Sequence, residues 1–113
     1  MPNNKYRATY LPQADSDLSG ILNYFLNDLQ NPIAADNFMD ELDGKVTLLE
    51  NQPFMGSLYK LNHKFDFEYR QIFVGNFTVF YVVINNLIEI HRIIYSKRNM
   101  KKLIYPKGHK TSV

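Results

Sequence analysis

Apolar and polar residues change rhythm several times along this chain, and each change predicts an element. Residues 6–11 alternate, with Tyr6, Ala8 and Tyr10 on one face and Arg7, Thr9 and Leu11 on the other. That period suits a short strand at a sheet edge, closed by Pro12. From Ala14 the spacing becomes three and four: Ala14, Leu18, Ile21, Leu22, Phe25 and Leu29 share one face of a helix. Asp15 and Asp17 fall in its first turn, where a negative charge favours the helix dipole. The stretch "QNPIAADNF" reads as a break and restart. Asn31 can cap a new helix and Pro32 suits its first position, where the missing N–H would have had no partner. Ala35, Phe38, Leu42, Val46 and Leu49 form a second apolar stripe, and Glu41 can pair with Lys45 one turn on.

After "NQPFMGS" the pattern is unclear over residues 57–68, which can begin as a loop or a short strand. It then becomes strongly β-like. Residues 69–74 and 77–84 flank Gly75-Asn76, a two-residue turn of the kind that closes hairpins. The segment "FTVFYVVI" is apolar on both faces, as a central strand must be. Asn85-Asn86 supplies another turn before a strand over residues 87–95. The predicted class is α+β: an N-terminal strand, an antiparallel helical hairpin, then a three-stranded antiparallel meander. One domain over residues 1–105 accounts for the pattern, and residues 106–113, "PKGHKTSV", read as a flexible tail.

Composition narrows the chemistry. The absence of cysteine excludes disulfides and thiolate metal sites and fits a reducing cytosol. The apolar runs are too short to span a bilayer, and residues 1–10 lack the apolar stretch of a signal peptide, so a soluble cytoplasmic protein is expected, with no membrane partner. Charge is unevenly placed. Residues 12–51 hold eight acids against one base, Lys45, whereas residues 92–113 hold seven bases and no acid. A basic end of this kind suits a polyanion or an acidic partner.

No phosphate-binding glycine loop and no G-x-S-x-G element occurs, and His63, His91 and His109 are not at metal-ligand spacing; no metal or cofactor is expected. His91, within a strand, reads as structural. Basic and aromatic residues remain as candidates: Arg70 opening the second strand of the chain, the first of the meander, Arg92 inside the last strand, and Tyr95, Lys97, Arg98, Lys101 and Lys102 at its exit. A guanidinium can hold phosphate with two donors, and an aromatic ring can stack on a base. Within an apolar strand, Arg92 costs desolvation unless it reaches water or is paired, and a salt bridge to an acid such as Glu68 or Glu89 is the expected structural role.

These pieces together resemble the RelE/ParE superfamily of toxins from bacterial type II toxin–antitoxin modules. The resemblance covers roughly residues 6–104 and rests on "YRATYLPQADSDLSGILNYFLNDLQNPIAADNFMDEL", "QPFMGS", "EYRQIFVGNFTVFYVV" and "IEIHRIIYSKRN", in that order and spacing. It implies a helical hairpin on a twisted antiparallel sheet and a cognate antitoxin lying along the sheet and over its basic exit. Operator DNA would be bound only through the toxin–antitoxin complex. It also implies one of two activities: metal-independent cleavage of mRNA on the ribosome, as in RelE-like members, or non-enzymatic poisoning of DNA gyrase, as in ParE-like members. A third outcome is an inactive member that only binds its antitoxin. For cleavage, the resemblance makes Arg70 and Arg98 the catalytic, phosphate-holding pair; the basic and aromatic pattern itself offers Arg92, Tyr95, Lys97, Lys101 and Lys102 for nucleic-acid or antitoxin binding. Ile72 and Thr78 stand where ribonuclease members carry bases.

Overall fold

The computed structural model describes residues 5–59 and 68–97. The expected tail at 106–113, and the candidates Arg98, Lys101 and Lys102, lie outside the described residues. The order is β1 (Arg7–Tyr10), α1 (Pro12–Asn23), a π-helical turn (Tyr24–Asp28), α2 (Pro32–Asn51), β2 (Ser57–Leu58), β3 (Arg70–Val74), β4 (Phe77–Ile84) and β5 (Leu87–Tyr95). The strands form one sheet in the order β1-β5-β4-β3-β2. The meander β3-β4-β5 is antiparallel, as predicted, and β4 lies at its centre. The edge strand β1 runs parallel to β5, so the sheet is mixed rather than wholly antiparallel. A parallel neighbour needs a long connection, and the helical hairpin lies between β1 and the meander.

Strand β4 divides the core. Val79 and Tyr81 point into the layer shared with the helices, together with Ala14, Ile21, Phe38, Leu42, Leu49, Ile88 and Ile90. Phe80 and Val82 belong to a second cluster with Tyr69 and Ile94. Both side-chain sets of β4 are therefore buried, which explains why its sequence shows no polar alternation. The Gly75-Asn76 turn places Gly75 at φ +56, a conformation that favours a residue without Cβ. At the head of α2, Asn31 Oδ1 accepts the Ala34 N–H at 3.1 Å and Pro32 follows, as its sequence predicts.

Two expectations about the first helix change. Pro12 starts α1 rather than merely ending β1. The helix also does not continue regularly to Leu29: the Leu29 N–H donates to Tyr24 O at 2.9 Å, the i→i+5 bond of a π turn, and the Asn31 N–H donates to Phe25 O at 2.8 Å. The wider turn keeps Phe25 on the core, against Phe38 and Phe77, but removes Leu29 from it. Leu29, read from its spacing as part of the buried stripe, is 49% exposed.

Candidate functional site

Strand β5 is the spine of the basic region, and a bulge divides it. Tyr81 pairs with Ile90 but Phe80 pairs with Arg92, which leaves His91 as an extra residue. A bulge bends a strand and re-aims the side chains beside it. Strand β1 covers the outer edge of β5 only as far as the Tyr10–Ile90 pair, after which Leu11 N–H donates to Ile90 O at 3.0 Å. Beyond that point α1 replaces it. Asp17 Oδ2 accepts the Ile93 N–H at 2.9 Å and Arg92 Nε–H at 2.8 Å, while Asp17 Oδ1 accepts from the far end of the same guanidinium at 2.9 Å. The carboxyl of Asp17 thus stands where a further residue of β1 would have bonded. It also answers the question of Arg92: the carboxylate is Asp17, not Glu68 or Glu89. The side chains are only 15% and 11% exposed, so this two-pronged pair works in a poorly solvated place. Arg92 is therefore held by α1, and the nucleic-acid or antitoxin contact proposed for it would have to compete with that pair.

Arg70 is also turned inward. It lies opposite Tyr81 on β3, on the helix side of the sheet. One amino group donates to Gly56 O at 2.8 Å and Phe54 O at 3.2 Å, and the guanidinium carbon lies 5.1 Å from the centre of the Phe54 ring. Among the described residues the carboxylate paired with it, Glu68, is 3.9 Å away and largely solvated, so the backbone carbonyls are its closer partners. Below it the buried Tyr81 hydroxyl donates to Pro53 O at 2.8 Å and accepts the Gly56 N–H at 3.0 Å. Burial pushes the Tyr81 phenol up, opposed by the Gly56 bond and the positive charge of Arg70. Gly56 is required by this crowding, because a Cβ there would meet the Tyr81 hydroxyl at 2.5 Å and Gln71 O at 2.9 Å.

Tyr95 and Lys97 remain open at the exit of β5. Tyr95 is 44% exposed and packs edge-on against Phe77 at 5.9 Å; Lys97 is exposed. The registers Tyr95–Phe77 and Phe77–Val74 place Val74 in the row of Tyr95. Arg70 lies four residues along and two strands across from it, a separation of about 17 Å between Cα positions at ordinary sheet spacings. The fold therefore keeps Tyr95 and Lys97 together and sets Arg70 apart from them.

A third group was not singled out in the sequence. His91 Nε2 lies 3.2 Å from Glu89 Oε1 and Nδ1 lies 2.9 Å from the Tyr69 hydroxyl; a neutral ring that donates from Nε2 to the carboxylate has Nδ1 as acceptor for the hydroxyl. The Tyr69 ring stands edge-on to the imidazole at 5.2 Å between centroids. A carboxylate that fixes an imidazole tautomer, with a hydroxyl on the other ring nitrogen, can pass a proton along the chain. The available signal was the Glu-x-His alternation in β5, which brings residues 89 and 91 to one face; Tyr69, just before β3, could be joined to them only by the fold. Among the described residues, no three histidine, aspartate or glutamate side chains gather as a metal would require.

The comparisons agree with this architecture. A family model described as the ParE toxin of the type II toxin–antitoxin system parDE matches residues 8–100. No curated protein matches. Among solved structures, a chain of the chromosomal ParDE system from P. aeruginosa is 17% identical with a TM-score of 0.66, over 84% of this chain and 100% of that one. A chain of the E. coli DinJ–YafQ toxin–antitoxin complex is 17% identical with a TM-score of 0.53, over 80% and 92%. A chain of the archaeal RelE–RelB complex from Pyrococcus horikoshii is 19% identical with a TM-score of 0.51, over 84% and 99%. At these identities the likeness speaks for the fold, while the match of the family model spans most of the chain. The helical hairpin and the meander are thus those of a toxin: this chain belongs to the ParE toxin family of type II toxin–antitoxin systems, within the RelE/ParE superfamily.

Proposed function

We propose that this toxin arrests growth by binding DNA gyrase through its surface, without cleaving RNA. The observation that carries the reading is the internal engagement of two candidate arginines: Arg92 on Asp17, and Arg70 on the carbonyls of Phe54 and Gly56. A phosphate-cleaving site needs preorganised cations directed at the phosphate as charge develops on it. Donors already committed to the fold are poorly suited to that task, and Ile72 and Thr78 offer no charge in their place. The match to the ParE family supports the same direction. Tyr95 and Lys97, open at the end of β5, would receive an acidic or amphipathic segment of the cognate antitoxin, and Arg98, Lys101 and Lys102, which follow in the sequence, would add positive charge for it. Operator DNA would be reached only through that complex. The test is a pair of assays on pure protein. Loss of supercoiling by gyrase with intact mRNA on translating ribosomes is the expected result; mRNA cleavage with unimpaired supercoiling would reject it.

One observation favours the ribonuclease alternative, the Glu89–His91–Tyr69 chain. In that reaction the RNA 2′-OH attacks the adjacent phosphorus, its proton passes to a base, and the departing 5′-oxygen takes a proton from an acid. His91 would move one of these protons and Arg98 would hold the phosphate. Cleavage that disappears in His91→Ala, with the fold retained, would establish this reading in place of the first.

A further inference from the structure

We infer that the tip of the helical hairpin is the surface that grips the toxin's target, and that the target offers it an apolar recess with a basic rim. This rests on the reading that the toxin acts by binding a protein.

Four large apolar side chains crowd into ten positions of the tip and remain outside the core: Tyr24 is 45% exposed, Leu26 46%, Leu29 49% and Ile33 70%. The π turn is the local cause. Its i→i+5 bond from Leu29 N–H to Tyr24 O puts those two residues one above the other while Phe25 alone turns inward. Ile33 follows at the first turn of α2, with Asp36 on the same helical face three residues later. Asp28 and Asp36 are both exposed, and no lysine, arginine or histidine occurs from Ala8 to Gly44. The tip is thus apolar at its centre and acidic at its rim, the opposite of the charge at the exit of β5. Exposed apolar groups bordered by charge of one sign are the composition of a docking site, with the aromatic and aliphatic members as anchors and the charges steering approach. An acidic rim selects a basic partner. The basic exit of β5 selects an acidic one.

The test uses the full chain. The variant L29E/I33E removes the apolar centre, and D28K/D36K reverses the rim; all four positions are exposed, so both variants should melt within a few degrees of the wild type. Inhibition of gyrase supercoiling and growth arrest on induced expression are measured for each. The inference expects at least a tenfold rise in the inhibitory concentration, and relief of growth arrest, for both variants. Folded variants that inhibit and arrest like the wild type would overturn it. So would a wild-type dimer that becomes monomeric in L29E/I33E, since the tip would then be a contact between copies. If the wild type arrests growth without touching gyrase and the variants do not arrest it, the tip stands and the gyrase reading fails. If the wild type inhibits gyrase and the variants do so equally, gyrase stands and the tip fails. A chain that does neither overturns both.

Discussion

The carboxylate of Asp17 and the guanidinium of Arg92, 75 residues apart, meet in two bonds of 2.8 and 2.9 Å, and the same carboxylate accepts the Ile93 N–H. One acidic side chain therefore ends the exposed edge of β5, neutralises a cation in an apolar strand and ties α1 to the sheet.

Removing one partner should leave the other charged and poorly solvated. Asp17→Ala is expected to lower stability by roughly 3 kcal/mol, and Arg92→Met by less, because its methylenes are retained and Asp17 keeps the Ile93 N–H. Urea denaturation of both single variants and the double variant gives the coupling. A cycle in which the losses simply add would show that the pair contributes nothing.

Arg70 holds the connection between α2 and β2 by hydrogen bonds to two carbonyls and by stacking on Phe54. Arg70→Lys preserves the charge but cannot reproduce the planar fork. It should therefore destabilise nearly as much as Arg70→Met, by about 1.5 to 3 kcal/mol. Toxicity measured at a temperature where both variants are folded should persist. Abolished toxicity in a folded Arg70→Lys protein would instead restore the phosphate-binding role.

The Pro53–Gly56 stretch should tolerate no side chain at Gly56. Gly56→Ala brings a Cβ within 2.5 Å of the Tyr81 hydroxyl and 2.9 Å of Gln71 O. A cost of about 1 to 3 kcal/mol is expected from overpacking alone. Tyr81→Phe relieves the first contact but leaves the Gly56 N–H and Pro53 O without their partner, so the double variant should not recover wild-type stability. Full recovery in thermal melts would contradict the arrangement.

Alkaline pH should weaken the fold through Tyr10. Burial, then the carboxylates of Asp43, Asp15 and Glu50, push its phenol up from 10.0 to about 12. The unfolded chain loses that proton first, so the stabilising contribution is complete below about pH 10 and is lost as pH rises towards 12. Burial shifts Tyr59 and Tyr81 in the same direction. Denaturation midpoints should fall between about pH 9 and about pH 11, and fall less in Tyr10→Phe. Equal losses in the two proteins would remove Tyr10 as a cause.

The elements were legible wherever short-range chemistry decides them. Strand β4 shows in an uninterrupted apolar run, α2 in its stripe and its Asn31-Pro32 start, and the β3–β4 turn in Gly75-Asn76, since each depends on residues a few positions apart. The parallel placement of β1 was not legible, because alternation reveals a strand but not the direction of its neighbour. Leu29 misled for a similar reason: its spacing assumes 3.6 residues per turn, and the π turn breaks that count. Charge asymmetry along the chain also came from sequence alone, because it is a sum over positions. Which charges remain available was decided only in three dimensions. The bulge at His91, the end of β1 at Tyr10 and the approach of α1 together brought Asp17 to Arg92; the α2–β2 connection took Arg70; the fold joined Tyr69 to His91. Periodicity carries no information about such partners, for a hydrogen bond forms between groups that the folded backbone brings within 3 Å or so, however many residues lie between them.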